Sequence, residues 1–344
     1  MHLHAISTVS EAKAGSKHPW LLADIGGSNA RFAWLPHEGA QPSHVRTLAV
    51  AEYPQLADAV RAYLEGLVHA GQVPHGVQPS AAAFAVATAV DGDRIEFTNS
   101  SWAFSSRELA RQLGLGSLQV LNDFEALALS LPRLRPGQWQ SLPGQGPSVA
   151  NFAAPLAVVG PGTGLGVAGL MPGARGWTAL AGEGGHSTLA PCNDFESELL
   201  SAARKEFPHV SAERFLSGIG LPVLYRAVAA VRGQKPVPDV DGKWVVERAL
   251  AQDDPLADAT IGAFCAMLGG FAGSMALTYG ARGGVFIGGG IVPRLGERFA
   301  QSEFRARFEA KGRFSDYLRA IPTLLITDTL VALDGAAQAL AQAR

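Results

Sequence analysis

The chain has 344 residues, of which 47% are hydrophobic and 17% are charged, and its formal net charge is −2. This length suits two domains, since a domain usually takes roughly 100–200 residues. The near-balance of charge excludes the clustered basic surface that is typical of nucleic-acid-binding proteins. The two cysteines lie far apart in sequence, which excludes a disulfide framework and fits a reducing cytoplasm.

The first predicted elements are a leader and a β-hairpin. Residues 1–19 contain no apolar core of the kind that a signal peptide needs, so we expect a disordered leader. The short apolar run Trp20–Asp24 ends at Gly26 and Gly27, which predicts a buried strand that runs into a tight turn. The run Arg31–Leu35 is again aromatic and apolar, and it predicts the second strand of the hairpin.

Strands and helices then alternate along the chain. Helical periodicity at Leu56–Leu64 is followed by buried strands at Ala81–Val86 and Leu118–Leu121, which predicts an α/β fold with a largely parallel sheet. Further along, Ala259–Ala281 carries no charge and is long enough to span a bilayer, which takes ~18 or more apolar residues. Because Gly, Ser, Thr and Tyr dilute this run, it is interpreted as a buried core helix, and no membrane segment is expected.

The second half of the chain begins with the same pattern as the first. The run Leu156–Val159 predicts a strand, glycines follow it, and Leu165–Leu170 predicts another strand. The aligned positions of the two copies are Asp24 with Gly160, Gly26 with Gly162, and Ser28 with Gly164. This weak internal repeat suggests two lobes built on one plan. A loop rich in Gly, Pro and Ser at 137–154 is expected near their boundary.

The glycine turns are candidate phosphate-binding sites. Glycine lets backbone N–H groups point inward and lets a phosphate approach closely. A single hairpin turn is more often only a turn, but two matched turns that carry Asp24, Ser28 and Thr163 favour nucleotide binding. A third cluster, Gly288–Gly290, follows a predicted strand. It would admit a flat adenine or ribose, or it is a plain connection between a strand and a helix.

Other nucleotide-binding motifs fit the sequence less well. No Walker motif is present, and neither His-Arg-Asp nor Asp-Phe-Gly of protein kinases occurs. The segment Gly164–Gly169 matches the Gly-x-Gly-x-x-Gly pattern, with Glu183 near the distance expected for a ribose contact. That motif requires a helix that opens at the glycines, whereas the following segment, Leu170–Gly176, breaks any helix.

A polar pair, Asn122 and Asp123, follows a predicted buried strand. Ligands of open α/β sheets bind at the carboxyl ends of the strands. An aspartate there would accept the proton of an attacking hydroxyl group, which is the base that phosphoryl transfer needs. Alternatively, Asp123 caps the helix that begins at Phe124.

Glu183 and His186 lie together in a glycine-rich turn, where burial without a polar partner would be costly. Their side chains suit hydrogen bonds to neighbouring sugar hydroxyls. A metal site that also uses Cys192 is the alternative, although it would have few ligands.

Two further segments combine groups that suit a sugar. Glu213 is either another hydroxyl acceptor or part of the first turn of a helix capped by Ser211. The segment Thr98–Trp102 contains Asn99 and an aromatic ring, which suits a sugar pocket, or it is a surface turn anchored by Trp102.

Several segments occur together in an order that is highly specific, although each is weak alone. They are Ala23–Arg31, Thr98–Phe104, Leu121–Phe124, Gly162–Gly166, Gly182–His186, Val210–Gly218 and Gly283–Pro293. Together they resemble the bacterial glucokinase family of the hexokinase, actin and heat-shock ATPase superfamily. The resemblance covers the chain from about Trp20 to its end. The cysteine cluster of the zinc-binding repressor-and-kinase group is absent, which indicates the zinc-free branch.

The resemblance implies an α/β, two-lobed actin-like ATPase (ribonuclease H-like) fold with a central cleft. It implies a small domain at 20–133 plus 325–344, to which a C-terminal helix at Ala332–Ala343 returns, and a large domain at 134–324 that holds the sugar and adenosine sites. It also implies a glucokinase that uses ATP and Mg²⁺ to convert glucose to glucose 6-phosphate, the entry step of glycolysis. A cytoplasmic homodimer without nucleic-acid or membrane partners is expected.

The resemblance also assigns roles to residues. Asp123 matches the catalytic base. The residues that match sugar-binding positions are Asn99, Asn122, Asp123, Glu183, His186 and Glu213. The residues that match nucleotide-binding positions are Ala23, Asp24, Ile25, Gly26, Gly27, Ser28, Thr163, Gly164 and Gly289. The sequence departs from the family pattern at Ser28, where threonine is more usual, and at Pro161, which would stiffen the second phosphate loop.

Three other functions remain open at this point. A kinase for mannose, fructose or an amino sugar would differ only in the geometry of its hydroxyl contacts. A sugar-binding regulator would keep the fold without turnover, although the intact Asp123 and both glycine turns argue against it. An actin-like or chaperone-like ATPase would leave the Gly-Glu-Gly-Gly-His cluster unexplained.

Overall fold

The computed structural model of the protein describes residues 18–97, 100–141, 146–174 and 176–343. The chain divides into two compact units. The first consists of the chain up to Arg133 together with the segment from Leu330 onward, and the second is Leu134–Thr329.

The first unit contains one five-stranded sheet and four α-helices in its described part. Its strands are β1 (Trp20–Ile25), β2 (Asn29–Leu35), β3 (Ser43–Ala49), β4 (Ala81–Val86), β5 (Arg94–Glu96), β6 (Ala103–Ser105) and β7 (Ser117–Asn122). Its helices are α1 (Leu56–His69), α2 (Ser106–Gln112), α3 (Asp123–Ser130) and α12 (Val331–Gln342). The order in the main sheet is β3-β2-β1-β4-β7, and β5 and β6 form a separate ribbon.

The central strands of this sheet are buried on both faces, which explains their continuous apolar sequences. Strand β1 pairs antiparallel with β2 and parallel with β4, and every residue of β4 is buried. Helix α1 contributes Leu56 and Tyr63 to the core on one face. Helix α12 packs against α3 and also contacts β1 and β4, so the C-terminal segment completes the first unit.

The second unit is built around a six-stranded sheet and one long core helix. Its strands are β8 (Trp139–Ser141), β9 (Leu156–Pro161), β10 (Leu165–Gly173), β11 (Gly176–Gly182), β12 (Gly284–Ile287) and β13 (Thr323–Ile326). Its helices are α4 (Asp194–Ala203), α5 (Leu221–Val231), α6 (Gly242–Ala251), α7 (Pro255–Tyr279), α8 (Ile291–Leu295), α9 (Glu297–Ala300), α10 (Phe304–Glu309) and α11 (Ser315–Arg319). The strand order is β11-β10-β9-β12-β13-β8.

Helix α7 is the long apolar segment that the sequence interprets as a core helix. By length and composition it would cross a membrane, but 78% of its most apolar window is buried inside the protein. It begins at Pro255 after the N-cap Asp254, whose carboxylate accepts the N–H groups of Leu256 and Ala257, and it ends at Gly280 in the left-handed conformation. Cys265 lies within it, and burial raises the pKa of this thiol to about 12.

The predicted hairpins are present in both units. Strands β1 and β2 pair antiparallel around the first glycine turn, and β9 and β10 pair antiparallel around the second. The predicted loop at 137–154 contains β8, which pairs with β13. The second unit extends past 324 to Thr329, because β13 pairs with β12 and thereby belongs to the second sheet.

Candidate active site

The first glycine turn, Gly26–Ser28, joins β1 to β2. The Gly26 N–H donates to the Asn29 carbonyl at 2.9 Å, and the Ser28 carbonyl accepts from the Val50 N–H at 2.9 Å. The two strand residues before the turn that were assigned to nucleotide binding, Ala23 and Ile25, have fully buried side chains. Their side chains therefore pack in the core, and their contact with a nucleotide stays a prediction.

Asp24 lies opposite Arg31 in the β1–β2 register, and the two side chains form an ion pair of 2.9 Å. The Asp24 side chain is 16% exposed. Burial raises the pKa of its carboxyl group, and the Arg31 guanidinium acts in the opposite direction. A cation near Asp24 therefore favours its ionised form.

Asn122 and Asp123 lie at the same sheet edge as the first glycine turn. Ile25 pairs with Val86 and Val86 pairs with Asn122, so the carboxyl ends of β1, β4 and β7 are level. The Asn122 side-chain amide donates to the Thr88 carbonyl at 3.1 Å, which ties β7 to the segment after β4. This is the edge where the sequence predicts ligand binding.

The helix cap at this edge is Asn122. Its side-chain oxygen accepts the Phe124 N–H at 2.9 Å, and its backbone is extended. Asp123 is instead the first residue of α3 and also accepts the Phe124 N–H at 2.9 Å. The alternative in which Asp123 is the cap is therefore wrong, and its half-buried carboxylate lies at the favourable end of the helix dipole.

Asn99, one of the expected sugar-binding residues, lies outside the described residues, and its role stays a prediction. Trp102 in the same segment is buried, and its indole N–H donates to the Tyr53 carbonyl at 2.9 Å. It also packs edge to face on Phe97. The indole ring therefore anchors the segment to the first unit.

The second unit brings Glu183, His186 and Glu213 together. Glu183 precedes the short turn Gly184–His186 after β11, and His186 is the last residue of that turn. The His186 Nε2 atom lies 4.0 Å from Glu183 Oε2 and 3.8 Å from Glu213 Oε1. The side chains of Glu183 and His186 are 66% and 60% exposed, whereas that of Glu213 is 21% exposed.

The surroundings of these residues bear on the alternatives considered for them. Glu213 lies in a series of turns before α5 rather than in a helix, although the Ser211 hydroxyl does accept the Arg214 N–H at 3.3 Å. No group of three or more His, Cys, Asp and Glu side chains within the described residues is arranged to hold a metal ion. Glu183 and His186 face solvent, and Glu213 is largely buried beside them. Carboxylates and an imidazole are groups that suit hydroxyl recognition.

The second glycine turn, Gly162–Gly164, is fixed on both sides. Its own Gly162 N–H donates to the Gly164 carbonyl at 2.9 Å. From the segment after Glu213, the Gly218 N–H donates to Gly162 at 2.8 Å and the Ile219 N–H donates to Thr163 at 3.2 Å. The turn is therefore held by backbone contacts and carries no bulky side chain.

Gly289 lies against this turn. Its φ of +76° is in the left-handed region, and a Cβ there would overlap the carbonyl of Pro161. Only glycine allows the segment after β12 to approach β9 this closely. The predicted third glycine cluster therefore forms part of the same backbone surface as the second turn.

A cavity of about 290 Å³ opens beside the second glycine turn. It is lined by Gly162, Thr163, Gly218, Leu221, Gly242, Lys243, Val246, Gly290, Ile291 and Arg294. Its size is near the lower end of ligand pockets, which run from ~300 to 1,000 Å³. Two cationic side chains, Lys243 and Arg294, give it a charge that suits an anionic ligand.

The sequence analysis did not identify Lys243 and Arg294. Lys243 is the second residue of α6, and nothing in the sequence distinguishes it from a surface lysine. Arg294 follows the third glycine cluster within α8, and that proximity is the signal that would have identified it. Only the packing of α6 and α8 beside the glycine turn reveals both.

Comparisons with known proteins show which proteins the chain resembles. A family model described as Glucokinase matches residues 21–343. A glucokinase of Paramagnetospirillum magneticum is 50% identical over 321 residues, which cover 92% of this chain and 96% of that protein. The crystal structure of a glucokinase from an Antarctic psychrotroph superposes with a TM-score of 0.84 at 38% identity and covers 94% of this chain and 98% of that one.

Nearly the whole of this chain also matches a part of a longer relative. A bifunctional protein of Burkholderia pseudomallei is 47% identical over 336 residues, which cover 97% of this chain and 50% of that protein. The chain thus spans about half the length of the bifunctional relatives that it matches.

Proposed function

The chain belongs to the glucokinase family, and we propose that it transfers the γ-phosphoryl group of ATP to the 6-hydroxyl of D-glucose, giving glucose 6-phosphate and ADP. The family and the actin-like α/β fold expected from the motifs are confirmed. The observation that carries the proposal is that a hydroxyl-binding cluster, Glu183, His186 and Glu213, lies beside an anion-binding glycine turn within one unit.

Glucose is bound through its hydroxyl groups. Each hydroxyl both donates and accepts a hydrogen bond, so carboxylates accept from it and the imidazole serves either role. Glu183 and His186 are exposed in the absence of ligand and are therefore available to a sugar. Asn122 and Asn99 are the further sugar ligands in this proposal.

We expect Glu183→Gln to weaken glucose binding by about tenfold, since hydrogen bonds to charged groups contribute roughly 1.5–3 kcal/mol. Calorimetric titration with glucose measures the change. Glu206→Gln is a matched control, because Glu206 is an exposed carboxylate of the same unit that pairs with Arg226 away from the cluster. Equal glucose affinity in Glu183→Gln and the unchanged protein would contradict the role of Glu183.

The nucleotide occupies the cavity beside the second glycine turn. The backbone N–H groups of the turn are suited to phosphates, and the glycine walls leave room for a flat adenosine. Lys243 and Arg294 at the rim attract the polyphosphate chain.

Removing one rim cation should weaken ATP binding and leave the sugar unaffected. We expect Arg294→Ala to raise the KM for ATP by about tenfold, because an ionic hydrogen bond is lost, while the KM for glucose stays within about twofold. Lys235→Ala removes the same charge from an exposed position that does not line the cavity. If both variants raise the KM for ATP equally, net charge rather than the cavity is responsible.

Asp24 is the residue that would hold Mg²⁺ in this proposal. Mg²⁺ is usually held by one or two carboxylates together with substrate phosphates and waters. Asp24 supplies one largely buried carboxylate two residues before the first glycine turn, and this fits an ion that arrives with ATP. When bound, Mg²⁺ neutralises charge on the phosphates.

Asp123 is the base that receives the proton of the 6-hydroxyl as the new O–P bond forms. Its position in the first turn of α3 fixes its backbone, and Asn122 fixes the start of that helix. Positioning and charge stabilisation supply most of the remaining acceleration in phosphoryl transfer.

The deciding experiment is a coupled assay of ADP release with ATP, Mg²⁺ and a panel of glucose, mannose, fructose and glucosamine. Strongest turnover with glucose supports the proposal, and strongest turnover with another sugar would identify a different hexose kinase. Tight sugar binding without turnover would identify a regulator, and ADP release without sugar would identify an ATPase. We further propose that the protein is cytoplasmic and forms a homodimer. Sedimentation analysis of the purified protein tests the homodimer.

A further inference from the structure

Glu213 contacts two parts of the second unit at once. Its Oε1 atom lies 3.8 Å from His186 Nε2 in the sugar-binding cluster. Its Oε2 atom accepts the N–H of Leu165 at 2.8 Å, directly after the second glycine turn. One carboxylate therefore joins the sugar-binding cluster to the phosphate-binding turn.

The contact with the glycine turn is close and specific. A Cβ on Gly164 would lie 2.5 Å from Glu213 Oε2, so a larger residue at this position would force the carboxylate to shift from its place beside the Leu165 N–H. Leu165 is 4% exposed, so its N–H has little access to water if the carboxylate is removed. Glu213 therefore holds the end of the turn in place.

The backbone around Glu213 strengthens the same connection. The Glu213 N–H donates to the Gly185 carbonyl at 2.8 Å, inside the sugar-binding turn. The Glu213 carbonyl accepts the Ser217 hydroxyl at 2.7 Å, and the next residue, Gly218, donates to Gly162 at 2.8 Å. A short segment thus links Gly185 to Gly162 through consecutive hydrogen bonds.

We propose that Glu213 is a positioning residue that couples the two substrates: sugar bound at His186 and Glu213 orders the second glycine turn for ATP. This inference rests on the proposed function for the identity of the two ligands. Because coupling between two binding sites is reciprocal, ATP bound at the turn also strengthens sugar binding. Glu183 is the natural comparison, because it lies in the same cluster and makes no described contact with the Gly162–Gly164 turn.

The test is calorimetric titration of a non-hydrolysable ATP analogue, with Mg²⁺, in the absence and presence of glucose. In the unchanged protein we expect glucose to tighten analogue binding by about fivefold or more. In Glu213→Ala the analogue should bind about tenfold more weakly even without glucose, and the effect of glucose should disappear. In Glu183→Ala the sugar-free affinity for the analogue should stay within about twofold.

Glu213→Gln separates the two contacts of the carboxylate. Its amide oxygen can still accept the Leu165 N–H, so sugar-free analogue affinity should return to within about threefold of the unchanged protein, while glucose binding stays weakened. A general loss of structure would not be rescued in this selective way. If Glu213→Ala does not fold, Glu213→Asp, which keeps the charge and shortens the reach, replaces it.

Two results would overturn the proposal. One is equal analogue affinity in Glu213→Ala and the unchanged protein. The other is the same loss of sugar-free analogue affinity in Glu183→Ala as in Glu213→Ala. A protein that binds the analogue but no glucose would contradict the proposed function instead, and the sugar-free titrations would still decide whether Glu213 holds the glycine turn.

Discussion

Asp123→Asn is expected to lower kcat by about 10²–10⁴-fold, the loss that typically follows removal of a positioned base. The amide keeps the shape of the side chain but cannot take the proton of the 6-hydroxyl. The KM for ATP should change by no more than about threefold, because the proposed nucleotide contacts lie elsewhere. Initial rates of ADP release at saturating glucose and ATP measure the effect, and Asp123→Ala should give a loss of at least the same size.

Glu125→Gln is the matched control for this prediction. Glu125 lies in the first turn of the same helix, α3, and burial raises the pKa of its carboxyl group. The exchange is again carboxylate for amide, so any general effect of lost charge on the helix appears in both variants. We expect kcat of Glu125→Gln within about threefold of the unchanged protein. A kcat near normal in Asp123→Asn, with glucose binding intact by calorimetry, would remove Asp123 from the base role.

Much of the fold could be predicted from the sequence, because buried strands and glycine turns leave strong local signals. Strands β1 and β9 are short apolar runs that end in glycines, and both were predicted within one or two residues. Helix α7 was predicted because a long uncharged run diluted by small residues suits a helix packed on all sides. In each case the local pattern and the final environment agree.

The sequence left alternatives open where tertiary contacts decide the structure. Ser211 and Glu213 have the pattern of a helix start, but the segment is drawn into turns by backbone hydrogen bonds to Gly162, Thr163 and Gly185. None of these partners is close in sequence. Local propensity is overridden there because backbone hydrogen bonds to distant segments fix the conformation.

In the candidate site, too, some features have a local sequence signal and others depend on tertiary contacts. Its glycines, carboxylates and histidine could be predicted from motifs, since each motif reflects a local need for small or polar residues. The pairing of Asp24 with Arg31 depends on the β1–β2 register, and Lys243 enters the site only through the packing of α6. Such contacts between distant segments carry no local signal in a single sequence.

The largest expected loss of stability comes from Gly335→Ala, in the middle of α12. A Cβ at this position would overlap the carbonyl of Ala126, within the backbone of α3. The two helices must then move apart, and overpacking of this kind typically costs about 1–3 kcal/mol, occasionally more. Urea unfolding followed by circular dichroism measures the change in the free energy of unfolding.

Gly262→Ala, in α7, makes the same chemical change with the opposite expected sign. Nothing lies within 4 Å of a Cβ at Gly262, so the alanine only reduces the freedom of the unfolded chain and should raise the free energy of unfolding by about 0.5–1 kcal/mol. Because α3 begins at Asp123, displacement of that helix by Gly335→Ala should also lower kcat, whereas Gly262→Ala should leave kcat unchanged. Equal stability changes in the two variants would contradict the claim that the close approach of α12 to α3 requires glycine at 335.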